Sequence, residues 1–152
     1  MLFTPGVYQV DKSIVVRRPD TVVLGLGLAT LSAVNGTIPL KIRDRPGIIV
    51  SGVIIDAGSV ESPVLLQVGE PNSTDPNSTE SNPITLHDVY FRVGGPYIGK
   101  ADICLEVNSN HVLIDHTWVS VWKRFPPPAV RHFSLTQLLL LYYFRFGERI
   151  MD

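Results

Sequence analysis

Three segments of the chain share one pattern of side chains, and this repetition restricts the possible folds more than any other feature. Each segment reads apolar, apolar, polar, then Gly, Asp or His, then a β-branched residue and two large residues. They are Ile-Val-Ser-Gly-Val-Ile-Ile at 49–55, Thr-Leu-His-Asp-Val-Tyr-Phe at 85–91 and Leu-Ile-Asp-His-Thr-Trp-Val at 113–119. Such recurrence is typical of stacked structural units, each of which cannot bury its apolar side alone.

The spacing of these units predicts a parallel β-helix. Gly25 and Gly52 are 27 positions apart, and Asp88 and His116 are 28 apart. Gly52 and Asp88 are 36 apart, but a polar insertion at residues 70–83 accounts for the excess. The segments between turns are short and β-branched, without helical periodicity. We therefore predict an all-β, single-stranded parallel β-helix of about four coils over residues 1–122. The alternative is a β-sandwich, whose strands recur every 8–12 residues without a longer period.

Composition narrows the class of protein and of partner. Apolar residues make up 45% of the chain and charged residues 18%, which argues against disorder, and 12 Gly and 12 Pro argue against a helical bundle. The net charge of −1 without a basic stripe predicts neither nucleic acid nor a membrane surface as partner. The longest apolar run, 138–144, is too short to span a membrane. No signal peptide is visible at the start of this chain.

Strand alternation predicts an exposed polar surface. If the coils stack in register, Arg17, Arg43, Gln67 and Glu106 form one outward-facing ladder of planar donors and acceptors, which would suit an extended sugar chain. The alternative is that solvent-facing strand positions are simply polar. Alternation also places Leu65 and Cys104 on the outer face, although a single cysteine, which excludes an internal disulfide, is more typically a buried apolar residue.

Carboxylates are the best candidates for catalysis. Asp88 and Asp115 lie near the same turn of successive predicted coils, and one coil step is about 4.8 Å. Glycosidases need two carboxylates about 5–10 Å apart, so this pair is a catalytic candidate. The alternative is that each Asp caps its own turn. The histidines have neither helical metal spacing nor a cysteine cluster, and no complete dinucleotide motif is present, so we predict no metal site and no cofactor.

Three glycosylation sequons begin at Asn35, Asn72 and Asn77, the last two within the insertion. If the source is eukaryotic, sequons on an exposed loop favour a secreted glycoprotein. Because no signal peptide is visible, we interpret the chain as an internal piece of a longer secreted protein.

Three motifs stand out within Phe3 to Val119: Gly-Val-Ile-Ile-Asp-Ala-Gly at 52–58, Asp-Val-Tyr-Phe-Arg-Val-Gly-Gly at 88–95 and Asn-His-Val-Leu-Ile-Asp-His-Thr-Trp at 110–118. Through these motifs the stretch resembles secreted right-handed parallel β-helix proteins of the pectate-lyase-like superfamily, near glycoside hydrolase family 55, the exo-β-1,3-glucanase-like group. The resemblance implies a fragment of an extracellular polysaccharide hydrolase. In that family the catalytic acid lies downstream, in a second module, and no position here matches it. This chain alone is therefore expected to be inactive. The alternatives are a non-catalytic polysaccharide-binding or structural module, and a broken product without function.

The pattern ends abruptly, and residues 123–152 form an aberrant tail. Two interpretations stand. Val119 and Ser120 can be encoded by GTGAGT, which looks like an intron donor, so the tail can arise from read-through. Alternatively, the capping box Ser-Leu-Thr-Gln at 134–137 starts a short helix at 135–146 that covers the open end of the stack.

Overall fold

In a computed structural model, residues 1–71 and 78–122 are described in full, together with the backbone of two later strands. The described residues form twelve β-strands and no helix. The strands are β1 (Leu2–Phe3), β2 (Val7–Val10), β3 (Ile14–Val16), β4 (Val22–Ala33), β5 (Leu40–Ile42), β6 (Ile49–Asp56), β7 (Ser62–Val68), β8 (Ile84–Val93), β9 (Ala101–Val107), β10 (Val112–Trp122), β11 (His132–Leu135) and β12 (Phe146–Met151).

The strands are shared between two parallel sheets. In the first sheet β1 and β2 both pair with β4, followed by β6, β8, β10 and β12. The second sheet has the order β3, β5, β7, β9 and β11. Every pairing between these strands is parallel, and from β2 onward the chain passes from one sheet to the other at each step. This is a parallel β-helix, as predicted. Within residues 1–122 the pairs β2–β3, β4–β5, β6–β7 and β8–β9 make four coils, and β10 begins the next one.

Register confirms the period that the sequence indicates. Val23 is opposite Val50, Val50 is opposite Leu86, and Leu86 is opposite Ile114, which are steps of 27, 36 and 28 residues. The long step contains the insertion. All four side chains are buried, so they form one column of the core that runs along the helix axis. Removing each such side chain from water contributes roughly 1.5–3 kcal/mol before conformational entropy is counted.

The strands of the first sheet share an interruption at the position where the sequence pattern places Gly, Asp or His. Gly52, Asp88 and His116 adopt left-handed backbone conformations, with φ of 68°, 52° and 49°. The residue before each of them also lies outside the core. Two successive side chains therefore point away from the core, and the inward-facing positions resume one residue later than strict alternation would place them. Gly, Asp and His are among the residues that tolerate positive φ, which explains the pattern. At Gly52 a side chain is also excluded by contact, since a Cβ would lie 2.6 Å from the Gly25 carbonyl oxygen.

The expected outward placement of two side chains is wrong, and the expected C-terminal helix lies mainly outside the described residues. Leu65 and Cys104 do not face solvent: they are 0% and 1% exposed and belong to the core cluster. The apolar run of β7 is typical of a strand covered on both faces, which alternation alone does not predict. The helix expected at 135–146 falls mainly outside the described residues, and its end positions, Leu135 and Phe146, lie in β11 and β12. Within the described part of the chain, no helix has the length and apolarity to cross a membrane.

Candidate functional site

Three columns of residues cross the outer side of the first sheet at the level of β6, β8 and β10. Neighbouring members of a column lie on adjacent strands, about 4.8 Å apart. In order along the strands, the columns are Gly52, Asp88 and His116; then Ile54, Tyr90 and Trp118; then Asp56, Arg92 and Ser120.

A groove with a volume of about 440 Å³ follows these columns. Gly25, Gly27 and Gly52 line part of it; Gly25 is buried against Gly52, whereas Gly27 is exposed. The lining also includes the buried Phe91, two half-exposed aromatic residues and several polar residues. We call this site the sheet groove; its other main residues are Leu28, Ile54, Asp88, Tyr90, Arg92, Trp118 and Ser120. The volume is in the range of small-ligand sites.

Tyr90 and Trp118 give the sheet groove its aromatic surface. They occupy the same register position on β8 and β10 and are 39% and 44% exposed. An aromatic ring that is held by a strand but left uncovered offers an apolar face, while the Tyr hydroxyl and the Trp indole N–H remain able to hydrogen-bond. The pair is therefore suited to a ligand with both apolar faces and hydroxyl groups.

An ion pair borders the aromatic pair. Arg92 donates from Nε to Asp56 Oδ1 at 3.0 Å and from Nη2 to Asp56 Oδ2 at 2.7 Å. These hydrogen bonds, with the charge of Asp56, raise the pKa of Arg92 against the opposing effect of burial. The bidentate contact fixes the plane of the guanidinium beside the groove.

Two histidines and two carboxylates cluster at the level of the left-handed column. The Nε2 atom of His87 is 3.2 Å from Asp88 Oδ2, and its Nδ1 atom is 3.3 Å from Asp115 Oδ2. The Nδ1 atom of His116 lies 2.9 Å from the same Asp115 oxygen. The hydrogen bond from His116 lowers the pKa of Asp115, with smaller contributions from the charges of His116 and His87. We call these four residues the His–Asp cluster.

Asp88 and Asp115, the catalytic candidates from the sequence, both contact one histidine, His87. Asp115 is opposite His87 rather than opposite Asp88, because β8 and β10 pair with that register. The two carboxylates consequently contact different nitrogens of the His87 ring. Asp88 also lines the sheet groove. Their catalytic role stays a prediction.

The four residues of the predicted polar ladder do not form one column, so that expectation is corrected. Gln67 donates from Nε2 to Glu106 Oε2 at 2.6 Å, and these two are in register. Arg17 and Arg43 follow the ends of β3 and β5, and the register of β5 and β7 pairs Lys41 with Gln67, so Arg43 lies two residues beyond Gln67. Arg43 instead forms an ion pair with Glu70. A two-residue offset keeps a side chain on the same face of the sheet but places it in another column, and alternation within single strands does not show which column a residue joins.

Of the three sequon asparagines, Asn35 is exposed in the turn after β4, with φ of 54°. Asn72 and Asn77 lie outside the described residues. The end of the insertion is anchored to earlier turns: Asn82 donates from Nδ2 to Asp20 Oδ1 at 3.0 Å, and the Ser78 amide donates to Asp44 Oδ1 at 3.2 Å. Glycosylation of these asparagines stays a prediction.

Our sequence reasoning missed the aromatic part of the groove, although a signal was present. Tyr90 and Trp118 occupy the same position of the repeated pattern, and so does Ile54. Aligning the repeats and applying alternation would have placed all three on one outward-facing column. The approach of His87 to His116 also differs from the sequence prediction, because it joins two neighbouring strands and does not follow the metal spacing of a helix.

Comparison with known proteins agrees with the architecture. Residues 1–126 match the LAM55 pectate lyase-like domain. An exo-β-1,3-glucanase of Streptomyces sp. (strain SirexAA-E / ActE) is 48% identical over 123 residues, which is 81% of this chain and 20% of the glucanase.

Two solved structures are similar as well. The structure of sacteLam55A from Streptomyces sp. SirexAA-E has a TM-score of 0.75 and 46% identity, over 85% of this chain and 23% of that one. A variant of sacteLam55A in complex with glucose has a TM-score of 0.74, with the same identity and coverage. The chain thus spans about a fifth of the length of the relatives that it matches. Its fold, its repeat and these matches together show that it belongs to the LAM55 pectate lyase-like domain family.

Proposed function

We propose that this chain is the β-helical part of an extracellular exo-β-1,3-glucanase-like protein and that its sheet groove binds a segment of β-1,3-glucan. The observation that carries the proposal is the pair of half-exposed rings, Tyr90 and Trp118, in register on adjacent strands beside the Arg92–Asp56 ion pair.

The chemistry of the groove supports a sugar ligand. A pyranose ring has apolar C–H faces, which pack on an aromatic surface, and equatorial hydroxyls, which hydrogen-bond in pairs to planar groups such as carboxylate and guanidinium. Asp88 and Arg92 place such groups on either side of the aromatic column. The relatives also support a glucan, since one is named an exo-β-1,3-glucanase and another was solved with glucose.

Binding rather than hydrolysis is the activity that we propose for this chain by itself. The chain spans 20% of the related glucanase, and no position of this chain matches the catalytic acid that the resemblance places in a second module. A hydrolase also needs a carboxylic acid that can donate a proton. The pKa of Asp115 is lowered, which favours its ionised form and makes it unsuited to that role.

A pull-down on insoluble β-1,3-glucan tests the proposal. We expect the chain to bind the glucan and the double variant Tyr90→Ala/Trp118→Ala to lose most of that binding. The matched control is Tyr97→Ala, because Tyr97 is 86% exposed but does not line the groove. Retention of full binding by the double variant, or an equal loss in Tyr97→Ala, would contradict a role for the groove.

Two further arms separate the competing functions. Arg43→Ala and Glu106→Ala test the second sheet; a loss of binding there, with the groove variants unaffected, would move the sugar site to that surface. Release of glucose from laminarin, abolished by Asp88→Asn or Asp115→Asn, would instead make the chain an enzyme in its own right. A folded chain that neither binds nor hydrolyses the glucan would refute the proposal.

A further inference from the structure

We propose that the His–Asp cluster binds one divalent transition-metal ion, with Zn²⁺ as the best match, through His87, Asp88 and His116. One ligand atom from each of these residues lies within 4.8 Å of the other two. Two imidazole nitrogens and one carboxylate oxygen are a donor set that Zn²⁺ favours, and three protein ligands leave a coordination position open.

The distances within the cluster suit this ion. Two ligand atoms that are each about 2.1 Å from a tetrahedral ion lie about 3.4 Å from each other. The Nε2 atom of His87 and Asp88 Oδ2 are 3.2 Å apart, close to that value. The ring of His116 has its centroid 5.4 Å from that of His87, and its side chain is 49% exposed. Its ligand atom lies within 4.8 Å of the other two, and the exposed ring has room to adjust toward an ion.

Asp115 supplies the outer support that metal-binding histidines normally have. One of its oxygens contacts Nδ1 of both His87 and His116, at 3.3 and 2.9 Å. A carboxylate at Nδ1 fixes the orientation of an imidazole and leaves Nε2 for a metal. One carboxylate thereby orients both histidine ligands, so Asp115 is a positioning residue rather than a ligand.

The proposed metal site lies next to the sheet groove. Asp88 belongs both to the cluster and to the lining of the sheet groove. An ion held by Asp88 would therefore lie at one end of the groove, with its open position available to water or to a hydroxyl group. Metal binding itself does not depend on the glucan proposal and can be measured without any sugar.

Titration of the metal-free chain with ZnCl₂, followed by calorimetry, tests the proposal. We expect one Zn²⁺ per chain, at least a tenfold loss of affinity in His116→Asn, and a 10- to 100-fold loss in Asp115→Asn. The matched control is His111→Asn: His111 has the same left-handed backbone, with φ of 51°, but lies outside the cluster. Asn tolerates this conformation, so both substitutions preserve the backbone.

An NMR measurement on the unmodified chain tests the proposal without depending on whether the variants fold. In the unmodified chain, Zn²⁺ should shift the imidazole resonances of His87 and His116 and leave those of His111 unchanged. Absence of one-to-one binding, equal weakening by His111→Asn, or shifts confined to other histidines would each overturn the proposal.

Discussion

Replacing Gly52 with Ala tests the left-handed column from which the sheet groove is built. Two costs apply at this position. A side chain at φ of 68° costs about 1–2 kcal/mol, and the new Cβ would lie 2.6 Å from the Gly25 carbonyl oxygen, an overlap that requires displacement costing roughly 1–3 kcal/mol. Ala also reduces the entropy of the unfolded chain, which returns about 0.4–1 kcal/mol. We therefore expect Gly52→Ala to lower the free energy of unfolding by about 2–4 kcal/mol.

Gly27→Ala is the matched control for this measurement. Gly27 also has positive φ, 44°, but a Cβ there would meet only Pro5 Cγ at 3.5 Å, which is an ordinary contact. Its expected cost is about 1 kcal/mol or less, because only the conformational part applies. Urea unfolding of the two variants, followed by circular dichroism, gives the difference directly. Equal destabilisation of both would refute the argument that the approach of Gly25 to Gly52 dominates.

Three other predictions concern the core, the ion pair and the thiol. Phe91→Ala should destabilise the chain by about 3–5 kcal/mol in urea unfolding, because Phe91 is 1% exposed; a change below 1 kcal/mol would show that the core readily refills. Asp56→Asn should cost about 1 kcal/mol, discounted because the Arg92 side chain is 41% exposed. That cost should disappear in the Arg92→Met background of a double-mutant cycle. Burial raises the pKa of Cys104 to about 12, so Ellman's reagent at pH 8 should react only after unfolding; rapid reaction of the folded chain would contradict burial.

The agreement between sequence and structure was strongest for the repeat. Because one unit of a parallel β-helix contacts mainly its neighbours, the same local pattern must recur at each coil, and the period can be read without knowledge of distant contacts. Val50, Leu86 and Ile114 are indeed opposite one another, at the equivalent positions of their units. The recurring Gly, Asp or His was also visible in the sequence, but its reason, the left-handed backbone, was not.

The sites were predicted less well, because they depend on the relative phase of neighbouring coils. Gln67 pairs with Glu106 because the two are in register, whereas Arg43 lies two residues beyond Gln67 and pairs with Glu70. Burial of Leu65 reflects cover on both faces of a strand, which its own alternation does not indicate.

By itself, the amino-acid sequence determined the strands, their parallel stacking and the number of coils, since these depend on local side-chain patterns that repeat. Only the tertiary structure decided which polar residues meet. It placed Tyr90 beside Trp118, and His87 and Asp88 beside His116, across a step of 28 residues. The physical reason is that side-chain contacts between coils are set by the backbone hydrogen-bond register and by the shared left-handed interruption. Shifting either by one residue would send the same side chains elsewhere.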